Sequence, residues 1–143
     1  MMNALRLRVA IGAALLTATF LLFLVRPAEA QSERLRATIP FGFYAGETLL
    51  PAGDYKVENL GSGVVRLFNR DTNTSGIFHT MVLRNPVREV TSAELIFNRY
   101  GQDYVLSELW WTDRDNGRKP LPSKIERELA KAPTPIRIAI TKR

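Results

Sequence analysis

Apolar and polar side chains alternate with a period of two along much of the chain after residue 30. The clearest run is residues 35–44, where Leu35, Ala37, Ile39, Phe41 and Phe43 alternate with mostly polar or small residues. Since successive side chains of a strand point to opposite faces, this run predicts a strand with one buried face. Proline at position 40 cannot donate to a ladder, so we expect this strand at a sheet edge or at a bulge.

Further segments carry the same alternation, or are short apolar runs bounded by turn residues. They are residues 55–58, 64–69, 77–84, 93–100, 104–112 and 136–141. The first two strands are separated by a Leu-Pro-Ala-Gly-Asp turn. The sequence therefore predicts an all-β, mainly antiparallel domain, either a small barrel or a sandwich of about six to seven strands.

The loop at residues 101–103 is short enough to join two of these strands as a hairpin. It could hold two residues or three. The choice changes which face Leu106 and Trp110 share with Phe97, and the pattern leaves both registers open.

One short helix is predicted at about residues 123–132. Ser123 followed by Glu126 is the capping-box spacing, and Pro133 ends the helix. Ile125, Leu129 and Ala132 fall on one side. Because so short a helix is marginal alone, we expect this side to dock on the sheet.

The first thirty residues have the three-part pattern of a secretory signal. Arg6 and Arg8 form a basic start, residues 9–25 carry no charge, and Ala-Glu-Ala at 28–30 is a cleavage site. An uncleaved anchor is the alternative, because seventeen apolar residues lie at the lower limit for a spanning helix. We expect cleavage, leaving residues 31–143 as one periplasmic or secreted domain that is not an integral membrane protein.

Basic charge is concentrated toward the C-terminus. Residues 114–143 contain nine basic and three acidic residues, whereas residues 31–113 contain eight and ten. Candidate partners are an anionic envelope polymer, a lipid surface or another envelope protein, with Arg118, Lys119 and Lys124 as weak candidate contacts. A solvated basic surface is the alternative interpretation. Nucleic acid is a poor partner for an exported chain.

The residue types needed for common catalysis are scarce. The chain has no cysteine and one histidine, His79, so neither a metal site nor a cofactor is expected. His79 shares its predicted strand face with Ile77 and Met81, which suggests a hydrogen-bonded core residue. We expect no enzymatic activity. A hydrolase remains an alternative if two carboxylates, from Glu108 and residues 113 and 115, or His79 and a serine, converge in one open cleft.

Two pairs of side chains in the central hairpin stand out. Trp110 and Trp111 point to opposite faces of their strand, so at least one could be exposed to bind a sugar ring or a protein. Alternatively, one ring lies in the core and the other under the helix. Arg99 and Glu108 lie mid-hairpin among apolar residues and could form a cross-strand ion pair that fixes the register.

Several motifs resemble a family of small exported bacterial proteins without assigned function. They cover most of residues 40–131. They are Pro-Phe-Gly-Phe at 40–43, Leu-Pro-Ala-Gly-Asp-Tyr-Lys-Val at 50–57, Leu-Ile-Phe-Asn-Arg-Tyr-Gly at 95–101, Tyr-Val-Leu-Ser-Glu at 104–108 with Trp110, Gly-Arg at 117–118, Leu-Pro-Ser at 121–123 and Glu-Arg-Glu-Leu-Ala at 126–130. The resemblance implies export and supplies no catalytic residue.

Together these patterns predict an exported cell-envelope β domain with a non-catalytic binding or structural role. The alternative is a small periplasmic barrel that holds an apolar or saccharide ligand. That alternative requires an interior cavity of roughly several hundred Å³ lined by aromatic side chains.

Overall fold

The computed structural model describes residues 34–84, 92–112, 116–131 and 134–141. The proposed signal segment, residues 1–30, lies outside them. Ten strands and one helix are formed in the described ranges. They are β1 (Arg34–Ile39), β2 (Phe43–Ala45), β3 (Thr48–Leu50), β4 (Gly53–Gly61), β5 (Val64–Asn69), β6 (Thr74–Arg84), β7 (Glu94–Tyr100), β8 (Asp103–Trp110), β9 (Asn116–Pro120), α1 (Lys124–Leu129) and β10 (Ile136–Thr141).

The strands form one open, almost entirely antiparallel sheet that is folded over itself. The first half has the order β1-β4-β5-β6. In the second half β6 pairs with β9, β9 with β8, and β8 with both β7 and β2, while β10 lies outside β7 and β3 outside β2. Strand β6 belongs to both halves: residues 74–79 pair with β5, and residues 80–84 pair with β9.

The main apolar core lies between the two halves. Its buried side chains come from both of them, including Leu35, Val57 and Leu67 of the first half and Leu95 of the second. The rings of Phe43, Tyr55 and Phe97 meet edge to face there, with centroids 5.2–5.3 Å apart. This sandwich-like arrangement confirms the predicted all-β class with a short C-terminal helix, although it has more strands than expected.

The first predicted strand is split in two at Pro40. Strand β1 ends at Ile39 and is an edge strand, paired only with β4. Because Pro40 lacks the N–H that would continue the ladder, the chain leaves this half and forms β2 in the other. Residues 48–50 and 116–120, which the pattern assigned to turns or their flanks, also form strands. The sequence pattern predicts neither of these two strands.

The β7–β8 hairpin has a two-residue turn, with Tyr100 paired to Asp103 and Gly101 at a positive φ of 63°. A bulge then shifts the register, so that Phe97 pairs with Leu106 but Ile96 pairs with Glu108. Because β8 has one extra residue at the bulge, its later side chains point to the faces opposite to those that an uninterrupted ladder would give. Leu106 therefore joins Phe97 in the core, whereas Trp110 packs with Ile96 on the opposite face.

Helix α1 begins after Ser123, whose hydroxyl accepts from the Glu126 N–H at 2.9 Å, as the capping prediction requires. The first helical N–H, that of Lys124, donates to Glu47 Oε1 at 2.6 Å. The helix is shorter than predicted and ends at Leu129, and Ala132 lies outside the described residues. Ile125 and Leu129 are only half-buried. Within the described ranges, no helix has the length and apolarity needed to cross a membrane.

Candidate functional site

A groove on the outer face of the first half is the candidate binding site. It lies across β1, β4 and β5 and has a volume of about 360 Å³. Side chains on its walls include three cations, two carboxylates and one aromatic ring. They are Arg36, Lys56, Arg70, Asp54, Asp71 and Phe68.

The strand register places these side chains in neighbouring rows. Arg36 pairs with Lys56, and Lys56 pairs with Phe68, so the three lie side by side across β1, β4 and β5. Directly opposed residues have Cβ atoms about 4.5–5.5 Å apart. In the next row Thr38 pairs with Asp54, and its hydroxyl donates to the Asp54 carboxylate.

Lys56 is held by a carboxylate outside the groove. Its Nζ lies 2.5 Å from Oε1 of Glu58, and the Arg66 guanidinium binds the other oxygen, with Nε at 2.8 Å. The hydrogen bond from Lys56 holds the pKa of the largely buried Glu58 below its ordinary value, against the effect of burial, and Arg66 acts in the same direction. Glu58 is therefore charged at neutral pH and pairs with both cations, which leaves the group of three with one net positive charge.

Arg36 and Arg70 remain available in the groove. Both are exposed, and neither forms an ion pair with any side chain in the described ranges. Phe68 is half-exposed and presents its ring to the groove, because Val65 and Leu67 fill the inward positions of β5. The groove thus combines guanidinium donors, carboxylate acceptors and an apolar ring surface.

The sequence interpretation missed this groove. A usable signal was present in β5 and the residue after it, where Arg66, Phe68 and Arg70 alternate with the buried residues. An aromatic residue at the polar positions of an alternating strand is placed on the outer face, where it contributes little to the core. The partners on β1 and β4 required the strand register.

Neither tryptophan is exposed, which removes both as surface binding residues. Trp111 is 6% exposed and belongs to the main core, although its Nε1 has no hydrogen-bond partner in the described part of the chain. Trp110 is 1% exposed on the opposite face, packed with Ile96 and Leu83 and lying directly over Gly117. Both faces of the sheet are covered at this point.

The predicted Arg99–Glu108 pair is wrong. Arg99 lies opposite Tyr104, donates to the Gly101 carbonyl at 2.7 Å and stands over the Tyr104 ring. Glu108 instead accepts from Arg137 at 2.6 Å and from Trp110 Nε1 at 2.8 Å. The two-residue turn places Arg99 opposite Tyr104, far along the strand from Glu108, and the bulge at Ser107 turns Glu108 to the other face, where Arg137 of β10 is within reach.

The three basic candidates do not share one surface. Arg118 and Lys119 are consecutive on β9 and so point to opposite faces. On those faces they lie beside their β6 partners, Val82 and Met81 respectively. Both are half-exposed, and Lys124 is exposed at the start of α1. They do not converge on the groove.

His79 is on the solvent face of β6, not in the core. The buried residues of this strand are Gly76 and Phe78, while Ile77 is 60% and Met81 44% exposed. The sequence interpretation had placed the other face inward. In the described residues no three His, Cys, Asp or Glu side chains are grouped to hold a metal ion. Residues 113–115 lie outside the described ranges.

Comparison with protein-family models, curated proteins and solved structures found no match to this chain.

Proposed function

We propose that this chain is an exported domain of the cell envelope that acts by binding, without catalysis. The observation that carries the proposal is the position of the groove. It lies on the outer face of a sandwich whose interior is occupied by packed side chains, and it is lined by cations and an aromatic ring. The signal-like pattern of residues 1–30 supports export.

The chemistry of the carboxylates supports a non-catalytic role. Glu58 is engaged by Lys56 and Arg66, and Glu108 by Arg137 and Trp110. The lowered pKa of Glu58 makes this carboxyl a poor general acid, because that role requires a raised pKa. The interior-carrier alternative is less well supported, because Phe43, Tyr55 and Phe97 occupy the interior where its ligand would lie.

The test uses the chain produced with its own N-terminal segment in a Gram-negative host. Mass spectrometry of the recovered protein should give the mass of residues 31–143. This processed protein should then sediment with peptidoglycan sacculi or with anionic vesicles, and the bound fraction should fall as salt is raised from 50 to about 500 mM.

Neutralising the groove cations Arg36 and Arg70 to Gln should reduce sedimentation more than neutralising Lys119 and Lys124. An intact Met1 on the recovered protein would overturn export. Sedimentation that is absent, or that is indifferent to salt, would overturn the binding role.

A further inference from the structure

We propose that the groove on β1, β4 and β5 binds a short saccharide that carries a carboxylate. The proposal rests on the proposed envelope function for the source of the ligand, but the groove's chemistry stands on its own. Its volume of about 360 Å³ lies at the small end of ligand pockets, so one or two sugar rings can be accommodated.

The aromatic ring of Phe68 provides an apolar surface for one face of a sugar ring. Phe68 is half-buried on the outer face, and it stands beside Lys56 on one side and Ser75 on the other. A sugar ring has one face made largely of C–H groups, which packs on an aromatic ring and removes apolar surface of both from water. A simple anion gains nothing from Phe68.

The cations select the carboxylate. Lys56 shares the single negative charge of Glu58 with Arg66, so the groove cations without an ion-pair partner among the described residues are Arg36 and Arg70. Guanidinium groups bind carboxylates with two parallel hydrogen bonds, which is stronger and more directional than a single contact.

The carboxylates of the groove complete the match. Asp54 and Asp71 are acceptors, and a saccharide supplies several hydroxyl donors that a lipid tail lacks. Asp54 is oriented by Thr38, so its free oxygen is fixed before the ligand arrives. Such preorganisation lowers the entropic cost of binding.

The experiment is an amide chemical-shift titration of the processed protein by NMR. The probes are the disaccharide of N-acetylglucosamine and N-acetylmuramic acid, and digalacturonic acid, which are two sources of the same acidic chemistry. Amides of Thr38, Lys56 and Phe68 should shift and saturate with either probe. Neutral N,N′-diacetylchitobiose should bind at least about fivefold more weakly, because it lacks the carboxylate.

Phe68→Ala should weaken binding about fivefold. Phe68→Leu should weaken binding less, because leucine still covers this part of the outer face with an apolar side chain. Leu49→Ala is the matched control, because it truncates another exposed apolar side chain on a different strand. Arg36→Gln and Arg70→Gln should each weaken binding of the acidic probes, with Arg127→Gln as the control cation.

Three results would overturn the proposal. They are the absence of shifts at the groove amides, equal affinity for diacetylchitobiose, and equal affinity for sodium acetate, which would indicate a plain anion site. If sacculi retain the Phe68→Ala protein as strongly as the parent, the envelope function stands and the groove assignment fails. If sacculi retain neither the parent nor any variant but the groove binds the disaccharide, the groove assignment stands and the envelope function fails.

Discussion

Arg137 of β10 reaches over strand β7 to bind Glu108 of β8, with Nη2 and Oε1 2.6 Å apart. Strand β7 separates the two, since Ile96 pairs with both Glu108 and Ala139. The same carboxylate accepts from the indole of Trp110. This contact ties the edge strand β10 to the centre of its half.

A double-mutant cycle should detect the ion pair between Arg137 and Glu108. Combining Arg137→Gln with Glu108→Gln should give a coupling free energy of about 1 kcal/mol, moderated because Arg137 is partly exposed to solvent. The cycle that combines Arg99→Gln with Glu108→Gln should give a value near zero. Urea unfolding of the five variants and the parent measures both, and a larger coupling for Arg99 would contradict the observed pairing.

Gly117 should not tolerate a side chain. A Cβ atom there would lie 2.7 Å from Cδ2 of Trp110 and 2.8 Å from the Leu109 carbonyl oxygen. We expect Gly117→Ala to destabilise the domain by about 1–3 kcal/mol and to alter the tryptophan emission as the indole is displaced. Gly42→Ala is the control, since its nearest neighbour would be 3.6 Å away. Equal effects of the two substitutions would contradict the close approach of Trp110.

Glu58 should make the domain sensitive to acid. Its pKa in the folded chain is lowered, first by Lys56 and then by Arg66. A carboxyl whose folded pKa is depressed stabilises the fold fully above the pKa of the unfolded chain, and that contribution is lost as pH falls through the folded pKa. Thermal unfolding measured from pH 7 to pH 3 should therefore show Glu58→Gln less stable at neutral pH, with the difference closing in acid. A constant difference would show that the charge of Glu58 is not responsible.

The two faces of β6 should respond differently to substitution. Phe78→Ala removes a buried ring and should cost about 3 kcal/mol. His79→Gln and Ile77→Thr alter exposed side chains and should change stability by less than about 0.5 kcal/mol. Chemical denaturation of the three variants distinguishes this orientation from the one that the sequence pattern suggested.

The alternation of apolar residues was sufficient to predict the all-β class and most strand positions. It failed on β6 because the inward face carries Gly76, which provides no hydrophobic signal. Gly76 is buried because Leu50 packs on it, and a Cβ there would meet Leu50 Cδ1 at 3.0 Å. Such a contact between distant segments has no local trace in the sequence.

The site was less predictable than the fold. Phe68 could have been noticed, since it breaks the polar side of β5, but its neighbours Arg36 and Lys56 come from strands whose register depends on the whole sheet. The Glu108–Arg137 pair likewise depends on a bulge at Ser107 and on β10 lying beside β7. Long-range register, rather than residue type, was the missing information.

Strand β6 makes the domain indivisible. Its first six residues complete the ladder of one half and its last five belong to the ladder of the other, within one uninterrupted segment. Neither half could be deleted, exchanged between homologues or expressed as an independent fragment without leaving the remaining half with an unpaired strand end. Recombination within such a domain is therefore restricted to its edges, where β1, β3 and β10 each pair with one strand among the described residues.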